Sequence, residues 1–391
     1  MKTNLLIVLL IVVCNATTAF TQDQAIALTG DPQIDKLTTK LLETIEEFRD
    51  TVREAQRIGF KYVNAQTFDE AFPYSDEFYE KVEQGNAIRE KLIPLAIELF
   101  DLKVAGTGAK DELAHLVTNI MNWLYERGEY SRAYRLAGQL VINNPDNEFA
   151  KLYLARSGLL NNDFSPRVES IITKHREFFD EDESVSEREQ MIILNIKVMQ
   201  AMYARELEIQ AAEAKADDLP RVEFKTSKGD FVIELFENEA PQTVANFISV
   251  VESGHYDGLL FHTVINQIAA ETGVVTADGQ VRELDYTIYD EYEKPDARMN
   301  FSGSVSLNSE KRNTGSARFF VSLAPLPNFN RKQTVFGRIL TGMDTVYRIN
   351  QTYKFDGEEQ IPIEDVKPDK VVSAKVLRKR DHEYKPVKVE K

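Results

Sequence analysis

Few side chains in this 391-residue chain are equipped for covalent or metal chemistry. The single cysteine, Cys14, allows no disulfide, no zinc knuckle and no CxxC redox pair. The histidines His115, His175, His255, His262 and His382 are scattered, and none forms an HExxH or other ligand-spaced pair. No protein-held transition metal is expected on that spacing. Gly106-Thr107-Gly108-Ala109-Lys110 sets glycines beside a lysine but lacks the GxxxxGK[ST] spacing and a preceding strand. It reads as a helix–helix loop, not a phosphate cradle. Lys and Arg total 47 against 63 Asp and Glu, a formal net charge of −16. So acidic a chain argues against nucleic acid as the main partner and against broad adhesion to anionic lipid. With 43% hydrophobic and 28% charged residues it is too apolar for wholesale disorder.

The elements that must position any site change character along the chain. Lys2 precedes an unbroken apolar run over 5–14, followed by small and polar residues to Ala19. That order predicts a secretory signal peptide over 1–19 and an exported, periplasmic or extracellular protein. The run is about half the ~20 residues needed to span a bilayer, so no stable membrane span is expected. A lipoprotein signal would want a small residue where Val13 precedes Cys14. Cleavage would leave a mature chain without cysteine, indifferent to external redox conditions.

Residues 20–218 read as an all-helical domain. Ile34, Leu37, Leu41, Ile45, Phe48 and Val52 step by threes and fours over 33–57, with Gly59 as a stop. Further helical patterns cover 86–104 with a kink at Pro94, then 111–127, 131–143, 148–160 and 166–179. Ser186 and Glu189 have capping-box spacing ahead of a helix to about Lys215. The stretch Leu124-Tyr125-Glu126-Arg127-Gly128-Glu129-Tyr130-Ser131-Arg132-Ala133, closed by Pro145, resembles a tetratricopeptide repeat. Gly128-Glu129-Tyr130-Ser131 is echoed 34 residues later by Asn162-Asp163-Phe164-Ser165, the period of that family. Helical hairpins of tetratricopeptide-like character and a generic bundle both remain open. Trp123 is expected as a core aromatic, and 180–183 as a solvated acidic loop.

After Asp217-Asp218-Leu219-Pro220 the period becomes strand-like. Val222 to Thr226 and Phe231 to Leu235 form a hairpin around Lys228-Gly229-Asp230, and Ala240-Pro241 opens a helix to about Val251. Short strands follow, then a helix over 343–349 and a last strand over 370–378. This predicts a closed antiparallel barrel with two helices over 219–380, and a polar tail over 381–391.

Six blocks in this half resemble the cyclophilin-type peptidyl-prolyl isomerases. They are Lys228-Gly229-Asp230-Phe231-Val232-Ile233-Glu234-Leu235-Phe236, Ala240-Pro241-Gln242-Thr243-Val244-Ala245-Asn246-Phe247, and 254–265 around Phe261-His262-Thr263. Gly303-Ser304-Val305-Ser306-Leu307, 313–320 ending Arg318-Phe319-Phe320, and Gln333-Thr334-Val335-Phe336-Gly337-Arg338 complete them. The resemblance implies an eight-stranded barrel with a proline-binding groove on its outer face, no cofactor, and X-Pro polypeptide segments as partners. It also implies departures. Thr263 stands where the family has its catalytic arginine, and Ile268, Ala269 and Glu271 replace a phenylalanine, a methionine and a glutamine. Arg318 replaces another glutamine, while Phe329 and Gln333 replace a leucine and a histidine. Phe320 is the retained floor of the proline pocket, and Asn308 and Ser309 belong to the same groove.

Rotation about an X-Pro bond faces a barrier of about 20 kcal/mol. The twisted state loses amide resonance, so a donor aimed at the imide nitrogen favours it over the ground state. Threonine cannot supply that donor at an arginine's reach, and Arg318 is the one candidate substitute. Three functions follow: an exported isomerase of weakened activity, a non-catalytic proline-segment module whose helical half recruits a partner, or a structural pairing of two domains.

Overall fold

Leu41, Ile45, Phe48 and Val52 are buried along one face of α1 (Pro32–Asn64) in the computed structural model, and Ala55 and Ile58 extend the same stripe. The structure describes residues 26, 29–64, 68–105, 111–356, 359–364 and 366–390; the expected signal peptide and the 106–110 loop lie outside them. α1 does not stop at Gly59. A β-carbon there would stand 3.1 Å from the Phe78 ring, so the glycine admits the neighbouring helix instead of ending its own. That neighbour, α2 (Phe68–Ala105), is one helix running through Gly85 and Pro94 where a shorter one was expected. Ala55, Ile58 and Phe78 form the core between them. Trp123, at the end of α3 (Asp111–Glu126), is half-buried beneath the Arg89 guanidinium, 4.8 Å from its ring centre, rather than enclosed in the core.

α4 (Tyr130–Asn143) and α5 (Glu148–Leu160) match the helices expected over 131–143 and 148–160. The next two helices are each broken once. α6 (Pro166–Lys174) gives way to α7 (Arg176–Glu181) at His175, and α8 (Glu187–Leu194) to α9 (Ile196–Ala216) at Asn195. A single residue leaving helical dihedrals does not disturb a 3.6-residue pattern, so neither break shows in the periodicity. The Ser186–Glu189 capping box is formed, and buried Glu189 also takes a 2.8 Å bond from Arg156 Nε.

Residues from 221 on build strands β1 (Arg221–Thr226), β2 (Gly229–Leu235), β3 (Thr263–Ile265), β4 (Ala269–Thr272), β5 (Tyr286–Thr287), β6 (Ser304–Leu307), β7 (Phe319–Ser322), β8 (Val335–Thr341), β9 (Tyr353–Asp356), β10 (Glu359–Pro362), β11 (Val371–Arg378) and β12 (Val389–Glu390). Eight of them form one antiparallel sheet in the order β11-β1-β2-β8-β6-β7-β4-β3. The sheet curls until its ends meet. Phe261 N donates to Asp369 O and Val371 N to Leu259 O, both at 2.8 Å, so the chain entering β3 is stitched to the chain entering β11. Phe224, Phe231, Phe247, Tyr256, Phe319 and Phe336 fill the interior, with Phe247 carried in by α10 (Pro241–Glu252). α11 (Met343–Tyr347) follows β8. The expected polar tail is laid down, with Tyr384 donating to Glu237 at 2.8 Å and β12 pairing with β5.

The chain divides into two compact units, and the division does not fall at Leu219. One holds the described residues up to Leu124 with 135–151; the other holds 125–134 and those from Leu152 on. Helices late in the helical half therefore group with the barrel. Arg298, 4% exposed, shows why: it bonds Glu206 and Glu213 of α9, lies 3.6 Å from Glu239 and covers the Phe236 ring at 3.8 Å. A change of sequence period marks where strands begin, not where buried contacts end.

Candidate active site

Residues directly opposite across an antiparallel ladder share a face of the sheet. Thr263 on β3 faces Glu271 on β4, Glu271 faces Phe320 on β7, and Phe320 faces Ser306 on β6. The four therefore form one row across the sheet, with Ala269 opposite Ser322 beside it. Phe319, next along β7, points the other way into the aromatic interior, against Phe224, Phe247 and Tyr256. This period-two alternation separates a core phenylalanine from a groove phenylalanine in one dipeptide.

Phe320 is 4% exposed and meets the ring of Phe329 edge-on at 5.7 Å. Phe329 sits in a 3-10 turn, Pro327–Phe329, started by the fixed φ of proline. Gln333 grips the backbone of Ser309 at both ends: Ser309 N donates to its Oε1 at 3.0 Å and its Nε2 donates to Ser309 O at 3.1 Å. Asn308 N donates to Arg318 O. Ile268 and Ala269 are half-buried where β4 leaves its turn. The structure thus brings Thr263, Ile268, Ala269, Glu271, Phe320 and Phe329 onto the β3–β4–β7 face and its flanking turn, with Ser309 and Gln333 clamped together nearby.

Glu271 meets a neighbour that its place in the sequence does not suggest. His262 Nε2 lies 3.4 Å from Glu271 Oε1, with both side chains mostly buried. Their meeting is not a formed hydrogen bond, since Glu271 Oε1 and His262 Nδ1 are both buried and unbonded. Nine residues separate them in the chain, and only strand register makes them neighbours. Arg318 pairs with a largely exposed carboxylate. Its Nη1 bonds Glu310 Oε1 at 2.8 Å, and it lines a cleft of about 620 Å³ with Asn308, Lys311, Asn313 and Val389 of β12. Asp290 was also missed; it accepts from Ser309 Oγ at 3.0 Å and from Asn313 N.

Comparison with known proteins places this half. The family model for cyclophilin type peptidyl-prolyl cis-trans isomerases matches residues 221–376. A peptidyl-prolyl cis-trans isomerase-like 1 from Aspergillus oryzae is 32% identical over 157 residues, 40% of this chain and 94% of that protein. The isomerase ppi1 of Schizosaccharomyces pombe is 33% identical over 156 residues, 40% of this chain and 99% of its own length. A crystal structure of a cyclophilin from Hirschia baltica aligns with 26% identity and a TM-score of 0.34, covering 40% of this chain and 73% of that one. The chain belongs to the cyclophilin-type peptidyl-prolyl cis-trans isomerase family. These matches concern the barrel, residues 221–376.

Proposed function

We propose that this protein is exported and binds X-Pro segments of other polypeptides in the groove over β3, β4 and β7. We further propose that it isomerises them well below the rate of relatives with an arginine at the Thr263 position. The observation that carries this reading is the row Thr263–Glu271–Phe320. Its apolar floor, Phe320 against Phe329, suits a proline ring. Its polar end presents a short hydroxyl and a carboxylate where the reaction calls for a donor to the imide nitrogen. Arg318, paired with Glu310, gives little support to a substitute role.

The same observation favours a second reading, a proline-segment module without turnover whose helical half recruits a partner. A protease-coupled isomerisation assay on an X-Pro peptide, with titration of the same peptide, separates the two. Slow turnover with measurable binding supports the first; binding without turnover supports the second. Fast turnover by the unaltered chain would overturn both, and its loss in Arg318→Ala would assign the donor to Arg318. Export is tested by mass spectrometry of secreted material, which should begin near Phe20. An intact Met1 or a lipid on Cys14 would refute that assignment.

A further inference from the structure

Helical turns grip the barrel at two places, and one lies at the root of the groove. The β3–β4 turn spans Ile265 to Ile268, with Gln267 left-handed at φ 58°. At its tip Asn266 Oδ1 accepts from Gln267 N and from the hydroxyl of Tyr130, both at 2.9 Å. Tyr130 is fully buried, and its ring is set edge-on against Tyr125 at 5.4 Å and Tyr347 at 5.7 Å. Burial pushes its hydroxyl far above the usual phenol range, so it stays a neutral donor. Gly128, two residues earlier, has φ 79°, and a β-carbon there would stand 2.5 Å from Asn266 Oδ1. Glycine takes this left-handed φ without strain and leaves room for the Asn266 amide.

The second grip repeats the first. Asn162, 34 residues after Gly128 and also left-handed, bonds both the N–H and the carbonyl of Ser302, at 2.8 and 3.0 Å. Ser131 Oγ joins the two helical turns through Asn161 at 3.1 Å. The sequence echo thus has one physical use: each copy sets a left-handed residue against a barrel loop.

We propose that Tyr130 is a positioning residue for the groove, holding the β3–β4 turn through Asn266 so that Thr263, Ile268, Ala269 and Glu271 keep their places. This rests on the groove assignment above. A binding constellation works only when held within about 0.5 Å, and a hydrogen bond at the tip of the strand turn is a means of holding it.

The test uses the full chain. Tyr130→Phe keeps the ring and its edge contacts and removes only the donor. Tyr134→Phe, which removes a hydroxyl bonded to Asp163 inside the helical layer, is the control. Amide hydrogen exchange over 264–271 and titration of a proline peptide are read with thermal stability. Tyr130→Phe is expected to speed exchange at the turn and weaken the peptide roughly three- to tenfold, while Tyr134→Phe leaves both at wild-type values. Asn266→Ala, which also removes the acceptor for Gln267 N, should weaken the peptide at least as much, and the double variant no more than Asn266→Ala alone, because the Tyr130 hydroxyl then has no partner left to lose. Unchanged exchange and affinity in Tyr130→Phe would overturn the proposal. So would equal weakening in Tyr134→Phe, or additive effects in the double variant. If the wild-type chain binds no proline peptide, the groove assignment fails, and the exchange data alone decide whether Tyr130 holds the turn.

Discussion

Thr263 lies beside Glu271, and Glu271 beside Phe320, in one row across the sheet that carries a hydroxyl, a carboxylate and an aromatic ring. A guanidinium at 263 would meet the Glu271 carboxylate across the ladder and extend toward bound substrate. Thr263→Arg is therefore expected to raise kcat/KM, up to about the 10²–10³-fold that one well-aimed donor supplies, in the protease-coupled assay. No gain alongside intact peptide binding would show that the groove geometry, not the missing donor, limits turnover. Phe320→Ala should abolish peptide binding and destabilise the fold by about 3–5 kcal/mol, the usual consequence of emptying a buried aromatic site. His255 gives a pH signature. It is buried, its Nε2–H donates to Gly273 O at 3.0 Å, and burial lowers its pKa below the ordinary 6.5. The unfolded chain then takes up a proton as pH falls through 6.5 while the folded chain resists it, so acid removes stability. Thermal melting between pH 8 and 5.5 should fall more for the wild type than for His255→Gln; parallel curves would refute this.

At the scale of elements, α10 illustrates what local sequence leaves out. Its N-cap is Ala240, which has no side-chain acceptor. Glu291, about fifty residues on and 5% exposed, supplies the carboxylate instead, accepting from Thr243 N and Thr243 Oγ1 at 2.8 Å and Gln242 N at 3.3 Å. Glu291→Ala should orphan these buried donors and lower stability by about 2 kcal/mol or more in denaturant titration. A change below ~0.5 kcal/mol would mean that water or Lys294 rearranges to replace it. The contrast with α8 is instructive. Its capping box, Ser186 with Glu189, was readable because both partners lie within one turn. Gly59 misled for the converse reason: glycine commonly ends helices, but here the space it leaves belongs to Phe78 of another element.

At the scale of the molecule, α9 and the barrel share a buried charge cluster. Arg298 answers Glu206 and Glu213, while Arg338 bonds Glu213 and Glu234 at 2.6 and 2.5 Å. Removing one partner of such a cluster leaves uncompensated buried charge. Arg298→Ala is therefore expected to destabilise the chain by about 3–5 kcal/mol, measured by denaturant unfolding. A fragment from Leu219 keeps the stitched sheet and is expected to fold. It should melt below a fragment from Leu152, which retains Glu206 and Glu213. Equal melting temperatures would show that α9 adds nothing to the barrel.

The sequence by itself determined the helical first half and the strand-rich second half, the change of period near 217–220, the capping box and the six blocks of the family. Each is a short-range pattern that one or two turns of helix, one strand or one contiguous block carries. Tertiary structure alone decided that Arg318 bonds Glu310, that His262 meets Glu271, that Glu291 caps a distant helix, and that the Gly128 and Asn162 turns grip barrel loops. It also decided that the helices from Leu152 on group with the barrel. Such pairings depend on strand register and on packing between residues far apart in the chain. No local pattern encodes them, because the partner that satisfies each buried group is chosen only when the chain closes around it.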